Sequence, residues 1–306
     1  MATQDRVPYD EFSMFHENAE EFGLPFESQP TVRREFTELS DGRRLSSLVW
    51  GEDDPELVFF HGGAQNAHTW DTVALALDRP LVAVDLPGHG HSDGGRHGSL
   101  DPHENAEDVA TVIRALAPNA VAVIGMSLGG ITTLALTDDA PELVQSVVLV
   151  DITPGVTAEK SKAITAFVQG PDSFASFDDI LARTVEHNPT RTVSSLRRGI
   201  LHNAEQRDDG SWVWRYARHR GLERPPGGGP PDYSALWDVV SRVHVPLLLV
   251  RGMLPQSVVD DADEAELLRR CPTARVERID NAGHSVQGDA PVELARLIDG
   301  FASRRE

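Results

Sequence analysis

The chain has 306 residues, 40% of them hydrophobic and 25% charged, ordinary proportions that predict a sizeable core in one large domain carrying an insertion. Lysine and arginine number 28 against 48 aspartates and glutamates, a net charge of −20, and no basic run offers a stripe for phosphates, which argues against nucleic acid as a partner. The one cysteine, Cys271, rules out an intrachain disulfide, and the stretch from Met1 to Gly23 is polar and acidic; neither a signal peptide nor a membrane span is expected, and a cytoplasmic location is.

Phe12, Phe15, Ala19 and Phe22 recur at helical spacing among polar residues, which predicts an N-terminal amphipathic helix packing on the body. Short β-branched and apolar runs follow at Thr31 to Leu39, Arg44 to Trp50, Leu57 to Phe60 and Leu81 to Val84, with an Asp41-Gly42 hairpin signal between the first two. From Leu57 onward strand and helix alternate. The strands Ala120 to Ile124, Ser146 to Val150 and Leu247 to Val250 are continuous apolar runs but for Ser146, as a parallel sheet covered on both faces requires.

Between Val150 and Pro246 lie about ninety residues, far more than one crossover needs. They hold helical pieces, Trp212-Val213-Trp214 and a breaker from Pro225 to Pro231, and predict a mostly helical cap inserted into the core. The expected division is a helical extension over 1–30, a core over 31–153 and 241–306, and the cap over 154–240.

Gly125-Met126-Ser127-Leu128-Gly129 stands between a predicted strand and a predicted helix, Leu128 to Thr137. That is the setting of a nucleophile elbow, in which the turn presents the serine hydroxyl and the flanking glycines leave room for it. A serine attacking a carbonyl needs a base, an orienting acid and donors for the oxyanion, each donor contributing roughly 3–4 kcal/mol to the transition state. The Leu128 N–H supplies one donor, and Gly63, in His61-Gly62-Gly63 after the third strand, is expected to supply the other. His61 is read as a brace for that loop.

The base is expected late in the chain, at His284 in Asn281-Ala282-Gly283-His284-Ser285, after the strand Arg275 to Ile279. His89 and His91 lie in a Gly/Pro-rich turn where structural roles dominate. His68, His97, His103, His187, His202, His219 and His244 are read as surface or packing residues. The acid must fall between Ser127 and His284. The usual place, after Leu247 to Val250, has no carboxylate until Asp260 and Asp261. Asp151, at the carboxyl end of the preceding strand, points to where open α/β sheets form their sites and is preferred, with Asp260 the alternative. Neither metal-ligand spacing nor a nucleotide-binding glycine pattern is present, so the reading calls for no cofactor and no metal.

Together, His61-Gly62-Gly63, Asp85-Leu86-Pro87-Gly88-His89-Gly90-His91-Ser92, the Ser127 pentapeptide and Gly283-His284 resemble α/β-hydrolases in order and spacing. More closely, His61 to Trp70 and Ser211 to Tyr216 look like mycobacterial and related actinobacterial ester hydrolases of that fold. The resemblance implies a mostly parallel eight-stranded sheet with helices on both faces and a mostly helical cap. It also implies an acid after the sixth strand, which matches Asp151. A serine nucleophile sets the chain apart from haloalkane dehalogenases and most epoxide hydrolases, which carry aspartate there. The expectation is a serine esterase cleaving small-molecule esters of small to medium acyl chains, with Phe167, Trp212 and Trp214 lining the substrate pocket. Hydrolysis of a carbon–carbon bond by the same three residues and a non-catalytic small-molecule receptor are the alternatives.

Overall fold

A computed structural model describes residues 6–96, 101–216 and 231–303; His97, His219 and the breaker as far as Pro230 lie outside the described residues. Among the described residues ten strands are present: β1 (Val32–Glu38), β2 (Arg44–Trp50), β3 (Leu57–Phe60), β4 (Leu81–Val84), β5 (Ala122–Met126), β6 (Val147–Val150), β7 (Ala204–Gln206), β8 (Trp212–Trp214), β9 (Leu247–Gly252) and β10 (Arg275–Ile279). Eight of them form one sheet in the order β1-β2-β4-β3-β5-β6-β9-β10. The strand β2 runs antiparallel to β1 and β4, and the remaining neighbours are parallel. This is the α/β-hydrolase architecture expected from the sequence. At the antiparallel start, Gly42 takes φ +84° and its N–H reaches Leu39 O, closing the Asp41-Gly42 turn.

Period-two alternation sends each strand's side chains to two separate cores. Val58, Phe60, Val82, Val84, Val123, Val147, Leu149 and Leu247 face one core. It is covered by α3 (Pro102–Leu116), α4 (Leu128–Asp139), α8 (Leu236–Val240) and α9 (Asp261–Arg270). Leu57, Phe59, Leu81, Ala83, Ile124, Val148, Leu248 and Val250 face the other, under α1 (Phe15–Phe22), α2 (Asp71–Leu77), α10 (Val286–Asp289) and α11 (Pro291–Ala302). Every residue of β3, β4, β5, β6 and β9 is buried. Full burial of one such Leu, Ile, Val or Phe contributes about 1.5–3 kcal/mol, which is why these strands tolerate no polar alternation.

Between β6 and β9 the chain forms α5 (Lys162–Val168), α6 (Phe177–His187), α7 (Val193–Asn203), the antiparallel pair β7–β8, and α8. The Trp212-Val213-Trp214 segment is thus a strand: both tryptophans point to one face, and Trp212 also bridges Phe174. They pack with Phe174, Ile180, Ile200, Leu201 and Tyr216 into a third core, which Met14 from the N-terminal segment joins.

The N-terminal segment therefore reaches further than a helix lying on the body. Its helix starts at Phe15, because Ser13 N bonds Asp10 O in a preceding turn that holds Phe12. Upstream, Val7 N donates to Gln206 Oε1 at 3.0 Å and Tyr9 OH bonds His202 Nδ1 at 2.9 Å, both in the insertion. Glu11 bonds His68 Nε2 at 3.0 Å and pairs with Arg34, which pairs at 2.9 Å with buried Asp85 in the core.

Candidate active site

The strand β5 ends at Met126, and Ser127 follows with φ +51° and ψ −117°, a backbone that a residue with a Cβ adopts only under constraint. The constraint is packing. A Cβ at Gly125 would stand 2.4 Å from Gly129 O, and one at Gly129 would stand 2.3 Å from Phe60 O, so the elbow closes only with glycine at both positions. From there α4 begins at Leu128, whose N–H, in the first helical turn, has no intrahelical acceptor. Next to it, Met126 pairs with Val150 in register, and Ser127 N reaches Val150 O at 3.4 Å. Ser127 and Asp151 therefore sit side by side at two neighbouring strand ends.

Asp151 also has positive φ, +47°, and is fully buried. Burying a carboxylate is costly unless its oxygens are satisfied, and here four donors converge on them. Oδ1 accepts from Gly252 N at 2.9 Å and Ser257 Oγ at 2.6 Å; Oδ2 accepts from Val258 N at 3.1 Å and lies 2.9 Å from His284 Nδ1. A carboxylate at that distance assigns the imidazole proton to Nδ1 and leaves Nε2 as the basic nitrogen. Among the described residues Ser127 Oγ makes no hydrogen bond, so the hydroxyl is free to rotate. Asp260, the alternative acid, is engaged elsewhere: it caps α9 by accepting from Asp263 N at 2.9 Å and pairs with Lys160 at 2.9 Å.

The loop after β3 abuts the elbow. A Cβ on Gly62 would come within 3.2 Å of Ser127 Cβ and 2.4 Å of Met126 Sδ, which explains the first glycine of the pair. His61 is fully buried, donating from Nδ1 to Gly62 O at 2.7 Å and accepting at Nε2 from Leu86 N at 2.9 Å. Burial pushes its pKa down, in keeping with the neutral form that this donor–acceptor pair requires. Gly63 N makes no hydrogen bond among the described residues. The Asp85-to-Ser92 turn is scaffolding for this loop: Asp85 accepts from Ala67 N at 2.7 Å and His91 N at 3.0 Å, and a Cβ on Gly90 would strike its carboxyl. Burial would raise the Asp85 pKa, but the Arg34 charge holds it below the usual carboxylate range.

Of the three aromatic pocket candidates, Trp212 and Trp214 are 4% and 6% exposed. Trp212 meets Phe177 edge-on, and Trp214 meets Phe167 and Phe174 in the same way. Both form the insertion's own core, since two large rings there cover the faces of α6 and α7. Phe167 is half-buried at the margin of that core.

Residues beyond the sequence reading also belong to the neighbourhood. Ser257 bonds Asp151, Gln65 bonds Gly62 of the glycine loop, and Gln287 Nε2 bonds Gln65 Oε1 at 3.3 Å. Only Ser257 had a signal in the sequence, a hydroxyl in the loop where a carboxylate is usual. His68 and Asp71 from one segment and His202 from another bring possible metal ligands within 4.8 Å of one another. Both ring nitrogens of His68 are already engaged, Nδ1 with Asp71 at 2.8 Å and Nε2 with Glu11 at 3.0 Å, and its imidazole stacks on that of His202 at 3.7 Å, so these groups serve as partners for one another.

Residues 57–297 match the alpha/beta hydrolase family. The chain belongs to that family. It is similar to esterase Rv0045c of Mycobacterium tuberculosis, 42% identical with 97% of each chain covered. A crystal structure of that esterase superposes with a TM-score of 0.83, covering 98% of this chain and all of the other at 41% identity. The 2-(acetamidomethylene)succinate hydrolase of Mesorhizobium japonicum is 28% identical over 81% of this hydrolase and 87% of the relative. No helix among the described residues is long and apolar enough to cross a membrane.

Proposed function

We propose that this hydrolase is a serine esterase that cleaves carboxylic esters of small to medium acyl chains through an acyl-enzyme. The observation that carries the reading is the Asp151–His284 bond at 2.9 Å beside an elbow serine on the next strand end. In the proposed cycle Ser127 Oγ attacks the ester carbonyl carbon while His284 Nε2 takes its proton. The carbonyl oxygen becomes an oxyanion facing the N–H groups of Gly63 and Leu128. Collapse of the tetrahedral intermediate breaks the bond to the alkoxy oxygen, which takes the proton from His284 and leaves as the alcohol. Water, losing a proton to His284, then attacks the acyl carbon; collapse breaks the bond to Ser127 Oγ, which takes that proton back from His284, and the acid is released. Asp151 keeps the imidazole in one tautomer and stabilises its cation. Side chains, backbone and water complete the cycle, so the reading requires no cofactor.

The similarity to a mycobacterial esterase supports the ester class. We read residues 154–240 as a cap over the site and 1–30 as an extension that clasps it, with Phe167 contacting the acyl chain. Turnover of short and medium p-nitrophenyl esters, measured beside Ser127→Ala, tests the proposal. Serine-dependent release of p-nitrophenol is expected; turnover that survives in Ser127→Ala, or none across the panel, would overturn it.

A further inference from the structure

The polar groups of the loop from His61 to Ala67 can be followed to their partners one at a time. Gly62 N donates to Gln65 Oε1 at 3.1 Å, and Gln65 N returns to Gly62 O at 3.2 Å. Ala64 N donates to His89 Nε2 at 3.2 Å, and Ala67 N to Asp85 Oδ1 at 2.7 Å. All these partners belong to the loop or to the core. The Ala64 carbonyl is different: it accepts from Asn203 Nδ2 at 2.7 Å, and Asn203 is the last residue of α7, in the insertion.

Ala64 needs such a partner. Its φ of +63° lies in the left-handed region, which a residue with a Cβ holds only where its surroundings over-determine it. Its methyl packs against the insertion's core, and Asn203 supplies the directional contact. The Asn203 amide is itself oriented. Asn66 Nδ2 donates to Asn203 Oδ1 at 3.3 Å and to His202 O at 2.9 Å, which turns Asn203 Nδ2 toward Ala64. Arg215 N secures the end of α7 by donating to Asn203 O at 2.8 Å. Gly63, with no side chain of its own, lies between Gly62, anchored by Gln65, and Ala64, anchored by His89 and Asn203.

We infer that Asn203 is a positioning residue for the oxyanion: through the Ala64 carbonyl, the insertion sets where the Gly63 N–H points. The inference rests on the proposed role of Gly63. It makes transition-state stabilisation depend on how α7 is seated, while binding of the ester ground state does not depend on this contact. The test compares wild type with Asn203→Ala and the near-isosteric Asn203→Asp, whose ionised carboxylate has no proton to give Ala64 O. Turnover of a p-nitrophenyl ester is expressed per serine titrated with an alkyl phosphonate, so that unfolded molecules drop out of the ratio. Affinity for a boronic acid that forms a tetrahedral adduct at Ser127 is measured alongside.

Both variants are expected to lose about tenfold to a hundredfold in kcat, less than deletion of an oxyanion donor costs. KM should stay within about twofold, since the lost interaction acts in the transition state alone. Boronate affinity should fall by a factor similar to kcat. Unchanged kcat and boronate affinity with a lowered Tm would make Asn203 a purely structural contact and overturn the inference. Raised KM with unchanged kcat would make it a substrate contact and overturn it equally. Turnover or boronate binding that persists in Ser127→Ala would instead refute the serine-esterase reading, an outcome separate from both.

Discussion

At the scale of single residues, Asp151 is a carboxylate with no exposed surface, on a positive-φ backbone, receiving donors from Gly252, Ser257, Val258 and His284. Replacing it with Asn203's chemistry, a neutral amide, would keep the shape but alter the proton pattern. Asp151→Asn can donate to His284 Nδ1 and so favours the wrong imidazole tautomer; a loss of about 10⁴ in kcat is expected. Ser257→Ala leaves three of the donors in place, and steady-state kinetics should find a smaller loss than in Asp151→Asn. Wild-type rates in Asp151→Asn would sink the assignment. The strand-end positions of Ser127 and Asp151 were legible in the sequence because each follows an apolar run, and that of His284 because it follows the alternating strand Arg275 to Ile279. Gln65 and Asn203 were not, since each acts through a contact made only after folding; Asn203 and Ala64 are 139 residues apart.

At the scale of elements, the buried strands and their order along the chain could be read because two-sided burial demands unbroken apolar runs. Local pattern failed where an element was too short to repeat it. Trp212-Val213-Trp214 completes only one period, and its strand character comes from pairing with β7 and Phe174. Asp260 illustrates the opposite case, a residue whose sequence position suited two roles. In the structure it forms a capping box with Asp263 at the start of α9, so Asp260→Ala should cost about 1 kcal/mol of stability. Denaturant melts should register that cost while kcat per active site stays at the wild-type value. A collapse of kcat would return Asp260 to consideration as the acid.

At the scale of the whole molecule, a polar clasp joins three parts: Glu11 and Tyr9 from the N-terminal segment, Arg34, His68 and Asp71 from the core, and His202 from the insertion. Burial alone would lower the His68 pKa, but the Asp71 and Glu11 carboxylates raise it to about 9. His202, stacked on it, is pushed well below its ordinary value by burial and by the His68 charge, so one ring is charged and the other neutral. A raised histidine pKa means that the folded state binds the proton more tightly than the unfolded chain. This contribution to stability is complete below the unfolded value of about 6.5 and is lost as pH rises through about 9. Thermal melts from pH 6 to 10 should show Tm falling across that window, and His68→Gln should flatten that part of the curve. An equally steep fall in His68→Gln would rule out the clasp as its source. A wider consequence follows from the parallel register of β6 and β9, in which Val150 stands opposite Val250. Strand ends one place apart are separated by only about 4.8 Å, so a carboxylate can serve the same histidine from either strand. The carboxylate's address can then vary while its destination stays fixed: an engineer could move it between neighbouring strands in small steps without redesigning the sheet.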